Sequence, residues 1–163
     1  MALHQITHRA RQIITQSSHA IALAFGADEL GAEHILYALL VDHPIECGCA
    51  SVRLGTSYAA IMTAATRRLG APAPTKTKED TNVLLPARHD LHVLEDAFWL
   101  AECRGTGFCG LGDLFFVTLL GTDPSLGGGK VKDLIGRDRA ATLWALAWDF
   151  HEPPFGRNDR DTK

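Results

Sequence analysis

The feature that most constrains the fold is an internal near-repeat whose unit is about half of the chain. Residues 30–40 read Leu-Gly-Ala-Glu-His-Ile-Leu-Tyr-Ala-Leu-Leu, and residues 111–120 read Leu-Gly-Asp-Leu-Phe-Phe-Val-Thr-Leu-Leu. The Leu-Leu pair of the first stretch recurs 80 positions later, and so does Pro44, as Pro124. A unit of this length predicts a tandem duplication, because solenoid arrays are built from much shorter repeats.

Length and composition narrow the class of protein. With 163 residues, of which 46% are hydrophobic, the chain has the size of one globular domain or of two small halves that share a core. A formal net charge of −3 provides no basic surface for nucleic acid. No apolar run reaches the roughly 18 residues of a membrane span, and the first residues do not resemble a signal peptide. We therefore expect a cytoplasmic protein that binds neither nucleic acid nor membrane.

Hydrophobic spacing predicts helices and negligible sheet in the first half. We expect one helix from Thr7, as N-cap, to Gly26. A second is expected from Gly31 to Pro44, since the residue before a proline leaves the helical region. A short helix over residues 47–54 and a longer one over 57–69 complete the half.

The second half repeats this scheme after a proline-rich linker. We expect helices over about 86–103, 112–120 and 138–150, and a weakened short helix near the glycines of 127–129. The predicted organisation is a first repeat over 1–70, a linker over 71–82, a divergent second repeat over 83–150 and a disordered tail over 151–163. The fold class predicted is all-α, with two four-helix motifs related by pseudo-two-fold symmetry.

Two short motifs carry a resemblance to a known family. Residues 6–10 read Ile-Thr-His-Arg-Ala, and residues 31–36 read Gly-Ala-Glu-His-Ile-Leu. The chain resembles the N-terminal domain of the Clp unfoldases, especially the ClpC type, whose repeat carries Phe-Thr-x-Arg-Ala and then Gly-Thr-Glu-His-Ile-Leu. The spacing to the closing Leu-Gly at 54–55 matches without gaps, while the first helix carries about one extra residue. The second half, with Leu-Leu-Pro-Ala-Arg at 84–88 and Asp113-Leu114 in place of Glu-His, matches in pattern only.

The resemblance, which covers about residues 4–150, implies a function as well as a fold. Family members dock adaptors and substrates for an ATP-driven unfoldase, and the ClpC type also binds phosphorylated arginine. It implies that Glu33 contacts a guanidinium group and that Asp113 offers a shorter-reaching equivalent in the second half. Thr7 and Arg9 are the candidate phosphate contacts, because free N–H groups at a helix start favour anions.

Structural roles compete with ligand binding at these positions. Glu33 and Asp113 lie within three residues of a helix start and can simply cap it. His34 can be a structural histidine that is hydrogen-bonded to the preceding loop. Trp99 lies next to the inward-facing Phe98 and, if exposed, is an anchor for a peptide or small ligand.

No complete catalytic motif is present in the sequence. Residues 126–131 read Leu-Gly-Gly-Gly-Lys-Val, but a phosphate-binding loop needs a glycine where Pro124 stands and a hydroxyl residue where Val131 stands. We therefore expect a stand-alone protein that lacks the ATPase modules. Cys47 and Cys49 have an unusual spacing for zinc ligands. We expect reduced thiols, no metal and no cofactor.

Together these observations favour a binding module over an enzyme. We expect a protein that binds a peptide, an adaptor, phosphoarginine or a small molecule, in the groove between its halves, with components of a Clp unfoldase or protease as partners. It would act as an adaptor or as a decoy that sequesters a ligand. The alternative is an enzyme of a small-molecule pathway that reuses the fold, with His and Cys residues such as His34 and Cys49 in the groove.

Overall fold

The chain is helical in most of the part that the structure describes. The computed structural model describes residues 6–53, 55–72, 85–88, 92–103, 108–122 and 150. Its α-helices are α1 His8–Gln12, α2 Ser18–Ala24, α3 Ala32–Asp42, α4 Pro44–Arg53, α5 Tyr58–Leu69, α6 Val93–Cys103 and α7 Leu111–Thr122. A π-helical turn, Ile13–Ser17, joins α1 to α2. These ranges contain isolated β-bridges but no strand, which confirms the all-α class.

Several helix ends form where local side chains predict them. The Thr7 hydroxyl accepts a hydrogen bond from the Ala10 N–H at 3.3 Å, and the Ser57 hydroxyl accepts one from the Ala60 N–H at 3.1 Å. At the other end of α5, Gly70 has a φ of +77°, which glycine adopts without steric cost. Each of these signals acts on atoms within about one helical turn, so the sequence alone predicts these helix ends.

Two helix starts differ from the prediction. The short helix α4 starts at Pro44 instead of residue 47, because a proline both ends the preceding helix and fits the first position of the next. The helix predicted over 86–103 starts only at Val93, and Pro86 lies in an extended stretch. That stretch pairs with Leu30 of the first half, whose N–H donates to the Pro86 carbonyl at 2.9 Å.

The π-helical turn lies in the middle of the first long helix. The Ser18 N–H donates to the carbonyl of Ile13, five residues back, in place of the usual four. One such turn accommodates one extra residue without ending the helix. The buried residues Ile13 and Ser18 thus stay on the core side across the turn.

Helix α3 is the centre of the core. It packs against α2, α5 and α7, and α6 packs against α7. The predicted apolar stripe of α3 is confirmed as buried: Ile35, Leu36, Leu39 and Leu40. Phe115 of α7 meets Phe150 with ring centroids 5.7 Å apart. Since α3 and α7 come from different halves, one core serves both.

Two parallel β-bridges cross between the halves. Ile6, before α1, pairs with Cys109, before α7, and the Thr7 N–H donates to the Cys109 carbonyl at 3.0 Å. Leu30, before α3, pairs with Ala87 of the stretch that leads towards α6. Each half therefore lays its entry segment against the residues that precede a central helix of the other half.

Some predicted features fall outside the described residues. They are most of the linker, the glycines at 127–129, residues 138–149 of the helix predicted over about 138–150, and the tail over 151–163. Among the described helices, none alone is long and apolar enough to cross a bilayer; only α3 and α4 taken together reach that length, with a bend of 106° between them.

Candidate functional site

The N-terminus of α3 is closed by a histidine. The Gly31 N–H donates to Nδ1 of His34 at 2.9 Å, and His34 is only 3% exposed. Burial lowers the pKa of His34, so the ring is neutral at neutral pH and its Nδ1 can accept this bond. The interpretation of His34 as a structural histidine bonded to the preceding loop is confirmed.

Glu33 holds the guanidinium group of an arginine that is 55 residues away in sequence. Arg88 Nη2 lies 2.8 Å from Glu33 Oε1, and Arg88 Nη1 lies 3.4 Å from Glu33 Oε2. This two-pronged contact is the geometry that makes arginine a specific partner of carboxylates. Burial, the largest single effect, raises the pKa of Glu33, but the hydrogen bond from Arg88, a backbone hydrogen bond and the charges of His34 and Arg88 together outweigh it, and the pKa is lowered. The carboxylate is therefore ionised at neutral pH.

The ion pair lies directly over Gly31. A Cβ atom at this position would be 2.6 and 2.7 Å from the two carboxylate oxygens of Glu33 and 2.8 Å from Nη1 of Arg88. The φ of Gly31 is −115°, which any residue can adopt. Glycine is required here for space and not for backbone conformation.

The segment that carries Arg88 is held along its length. The Arg88 N–H donates to the Leu30 carbonyl at 2.9 Å, and the Leu85 N–H donates to Nδ1 of His19 at 3.1 Å. Burial lowers the pKa of His19, which favours the neutral ring that accepts this bond. We call the surface formed by His19, Leu30, Gly31 and Glu33 the arginine site.

Thr7 and Arg9 have other neighbours. Thr7 is 5% exposed, caps α1 and pairs with Cys109. Arg9 is exposed, and its charge, after the larger effect of burial, contributes to a lowered pKa of His43, at the end of α3 opposite to Glu33. The observed contacts thus join Glu33 to Arg88 and not to the two predicted phosphate contacts.

Asp113 makes at the start of α7 the hydrogen bond that His34 makes at the start of α3. Its Oδ2 accepts a hydrogen bond from the Gly110 N–H at 2.9 Å, three residues back, as His34 accepts one from Gly31. Asp113 is 1% exposed, so the capping interpretation is confirmed. The residue that precedes Asp113 is Gly112, whereas the residue that precedes His34 is Glu33, so the start of α7 has no carboxylate immediately before its capping side chain.

Trp99 is a core-packing residue in the structure. Its side chain is partly buried and packs against the hydrophobic cluster from α6. A freely exposed indole, as an anchor would need, is not what the structure shows.

The thiols that an enzyme would use have unfavourable surroundings. Cys47 is fully buried, its Sγ lies 3.5 Å from the Leu39 carbonyl, and burial raises the pKa of its thiol far above the usual range. Cys49 is exposed but lies in the middle of α4, away from the helix start where a thiolate is stabilised. Among the described residues, no three His, Cys, Asp or Glu side chains are grouped to hold a metal ion.

Comparison of the chain with models of known protein families found no match, and comparison with curated proteins found none.

Proposed function

We propose that the chain is a non-enzymatic, cytoplasmic binding module of the Clp N-domain type, which recognises an arginine-bearing ligand. The observation that carries this proposal is the arginine site, where Glu33 holds a guanidinium group with two contacts over Gly31. Its proposed partners are components of a Clp unfoldase or protease, acting with an adaptor, a client peptide or a small molecule.

The crossed bridges support the tandem repeat in this proposal. If the two halves are superimposed, Ile6 of the first half matches Ala87 of the second, and Leu30 of the first matches Cys109 of the second. The bridge Ile6–Cys109 then becomes the bridge Ala87–Leu30. The same superposition matches the cap of Gly31 by His34 with the cap of Gly110 by Asp113. Reciprocal contacts of this kind are expected of two motifs related by a pseudo-two-fold axis.

The π-helical turn is a second point in favour of the family. The resemblance requires one residue more in the first helix than the family has, and the turn over Ile13–Ser17 accommodates one extra residue in that helix. The motifs on either side, Ile-Thr-His-Arg-Ala and Gly-Ala-Glu-His-Ile-Leu, can then keep their relative places.

The enzyme alternative has less support. His34 is buried as a helix cap, and Cys47 is buried against a backbone carbonyl. Cys49 is the one exposed cysteine among those whose side chains the structure describes, and it lies in the middle of α4, away from the helix start where a thiolate is stabilised.

A binding experiment with a matched control tests the proposal. The purified protein is passed over an immobilised ClpC-type unfoldase and titrated with a phosphoarginine peptide, as wild type, Glu33→Gln and Glu29→Gln. Glu29 is an exposed carboxylate in the loop before α3, so its variant controls for charge alone. We expect the affinity for the phosphoarginine peptide to fall at least tenfold in Glu33→Gln and to be unchanged in Glu29→Gln.

The opposite outcome would favour the enzyme. No binding of either partner by the wild type, together with turnover of a metabolite that is lost in Cys49→Ala, would reject the binding module. If the protein binds the unfoldase, the rate at which the unfoldase and its protease degrade a test client distinguishes an adaptor from a decoy. An adaptor accelerates this degradation and a decoy does not.

A further inference from the structure

We propose that the segment 85–88 is an internal substitute for a partner peptide, and that the arginine site binds an extended segment of the pattern apolar–Pro–x–Arg from another protein. This inference rests on the proposed function and deepens it, because it names the class of ligand and the contact that keeps the site occupied.

The backbone contacts are those of a single parallel β-bridge. The Leu30 N–H donates to the Pro86 carbonyl and the Leu30 carbonyl accepts from the Arg88 N–H, each at 2.9 Å. This is how an extended peptide pairs with an exposed edge in many peptide-binding domains. The contacts involve main-chain atoms, so a foreign segment can make them equally well.

The side chains define which positions are read. Leu85 is 6% exposed, and the guanidinium of Arg88 is held by Glu33, so the first and fourth positions are specified. Pro86 and Ala87 are exposed, so the site contacts the second position through its backbone and leaves the third position open to other side chains. A proline at the second position suits the site because its carbonyl is used there, and its ring favours the extended conformation that pairing requires.

The two sides of the ion pair differ in their access to solvent. The side chain of Arg88 is 36% exposed, whereas that of Glu33 is 15% exposed. The arginine therefore has a solvent path to leave, while the carboxylate remains fixed on α3. Replacing one arginine by another changes neither the charge of the site nor its hydrogen bonds.

The internal segment competes because it is part of the same chain. A tethered ligand acts at an effective concentration of about 1 mM, so a free peptide binds the wild type only weakly. Removing the guanidinium of Arg88 deletes two charge-assisted hydrogen bonds from the internal competitor. A loss of this kind corresponds to about a tenfold gain in the apparent affinity of a free peptide that competes with the internal segment.

The test uses a peptide with the sequence of residues 84–90, Leu-Leu-Pro-Ala-Arg-His-Asp. Its fluorescence anisotropy is measured against wild type, Arg88→Ala and the control Arg67→Ala, which removes an exposed arginine of α5. We expect the Kd for Arg88→Ala to be about tenfold lower than for wild type, with Arg67→Ala unchanged. A peptide with Gln in place of Arg should lose this gain.

Two outcomes would overturn the proposal. One is equal affinity of wild type and Arg88→Ala for the peptide, and the other is equal affinity of Arg88→Ala for the Arg and Gln peptides. If Arg88→Ala does not fold, an NMR titration of the wild-type protein with the two peptides tests the proposal instead. Millimolar Arg peptide should then shift the amide signals of Leu30 and Arg88, the Gln peptide should not, and the absence of such a shift rejects the proposal.

The result is separable from that of the unfoldase experiment. Peptide binding without binding of an unfoldase or phosphoarginine would keep the peptide site and reject the Clp partners. Binding of an unfoldase without peptide binding would do the reverse.

Discussion

At the start of α3, three residues within one helical turn have separate tasks. Gly31 donates its N–H and leaves space, Glu33 holds Arg88, and His34 accepts the Gly31 hydrogen bond. The helix cap and the arginine site therefore share the short stretch of residues 31–34. A substitution at one of them is expected to affect the cap, the ion pair or both.

Gly31→Ala should disrupt the ion pair, although alanine can adopt the backbone conformation of residue 31. The three atoms nearest to the added Cβ are the ends of the Glu33 and Arg88 side chains, which can move aside. We expect a loss of about 1 kcal/mol in the free energy of unfolding, the typical value of a partly exposed charged contact. Urea denaturation checks this, and in an Arg88→Ala background the same substitution should cost almost nothing. Equal costs in both backgrounds would mean that the clash is not with the ion pair.

Acid should destabilise the fold through His34. Burial lowers its pKa in the folded state below the ordinary value of 6.5. As the pH falls below about 6.5, the unfolded chain therefore takes up a proton before the folded one does, and stability decreases. His19 and His43, whose pKa values are also lowered by burial, act in the same direction.

The pH effect can be assigned by one substitution. Gln at position 34 can accept the Gly31 hydrogen bond but does not titrate. We measure the free energy of unfolding by urea denaturation from pH 7.5 to 5. Its decline with falling pH should be less steep in His34→Gln than in wild type, by the slope that corresponds to the uptake of about one proton on unfolding. Identical slopes would show that His34 does not carry the effect.

At the scale of the helices, the sequence predicts a helix end correctly where nearby residues alone determine it. Thr7, Ser57 and Gly70 act on atoms within a turn of themselves, and their helix ends are confirmed. The helix start predicted at Pro86 is wrong because proline fits the first turn of a helix and an extended segment equally well. Its pairing with Leu30, far away in sequence, decides between the two.

The candidate site was only partly predictable for the same reason. Glu33 and His34 were singled out from a short motif, and the His34 cap involves residues three apart. The partner of Glu33 is 55 residues away, and no local pattern points to it. The glycine at 31 was a signal that could have been used, but it is equally consistent with an ordinary N-cap.

The π-helical turn predicts an unusual tolerance to deletion. Removing Thr15, an exposed residue within the turn, should convert it to regular α-helix and leave the flanking faces in place. We expect thermal stability to stay the same or to increase. Removing Thr63 from α5 is the matched control, because both hydroxyls donate to the carbonyl four residues back at 2.8 Å. That deletion should rotate part of α5 by about 100° and cost several kcal/mol. Equal losses, measured by circular dichroism, would contradict the prediction.

At the scale of the whole molecule, the halves complete one another. The bridges of Ile6 with Cys109 and of Leu30 with Ala87 both cross between them, and α3 packs on α7. A half on its own would leave the apolar face of its central helix in water and its entry segment unpaired. Folding of the two halves should therefore be a single cooperative event.

Separating the chain tests this cooperativity. Fragments 1–72 and 83–163, expressed separately, should each show little helix and no sharp thermal transition. Mixed in equal amounts, they should form a one-to-one complex with restored helicity, because the contacts do not require a covalent connection. Circular dichroism and gel filtration measure both, and a fragment 1–72 that melts cooperatively at the temperature of the intact chain would refute the prediction.

The position of the Glu33–Arg88 pair over Gly31 also has a consequence for evolution. We expect residue 31 to stay small only while a carboxylate and a guanidinium lie against it. In a lineage that loses the arginine at 88, side chains at 31 become permissible, and the acidic residue at 33 is released to drift. These three positions should therefore change together, as one inherited character, although the third is far from the other two in the gene.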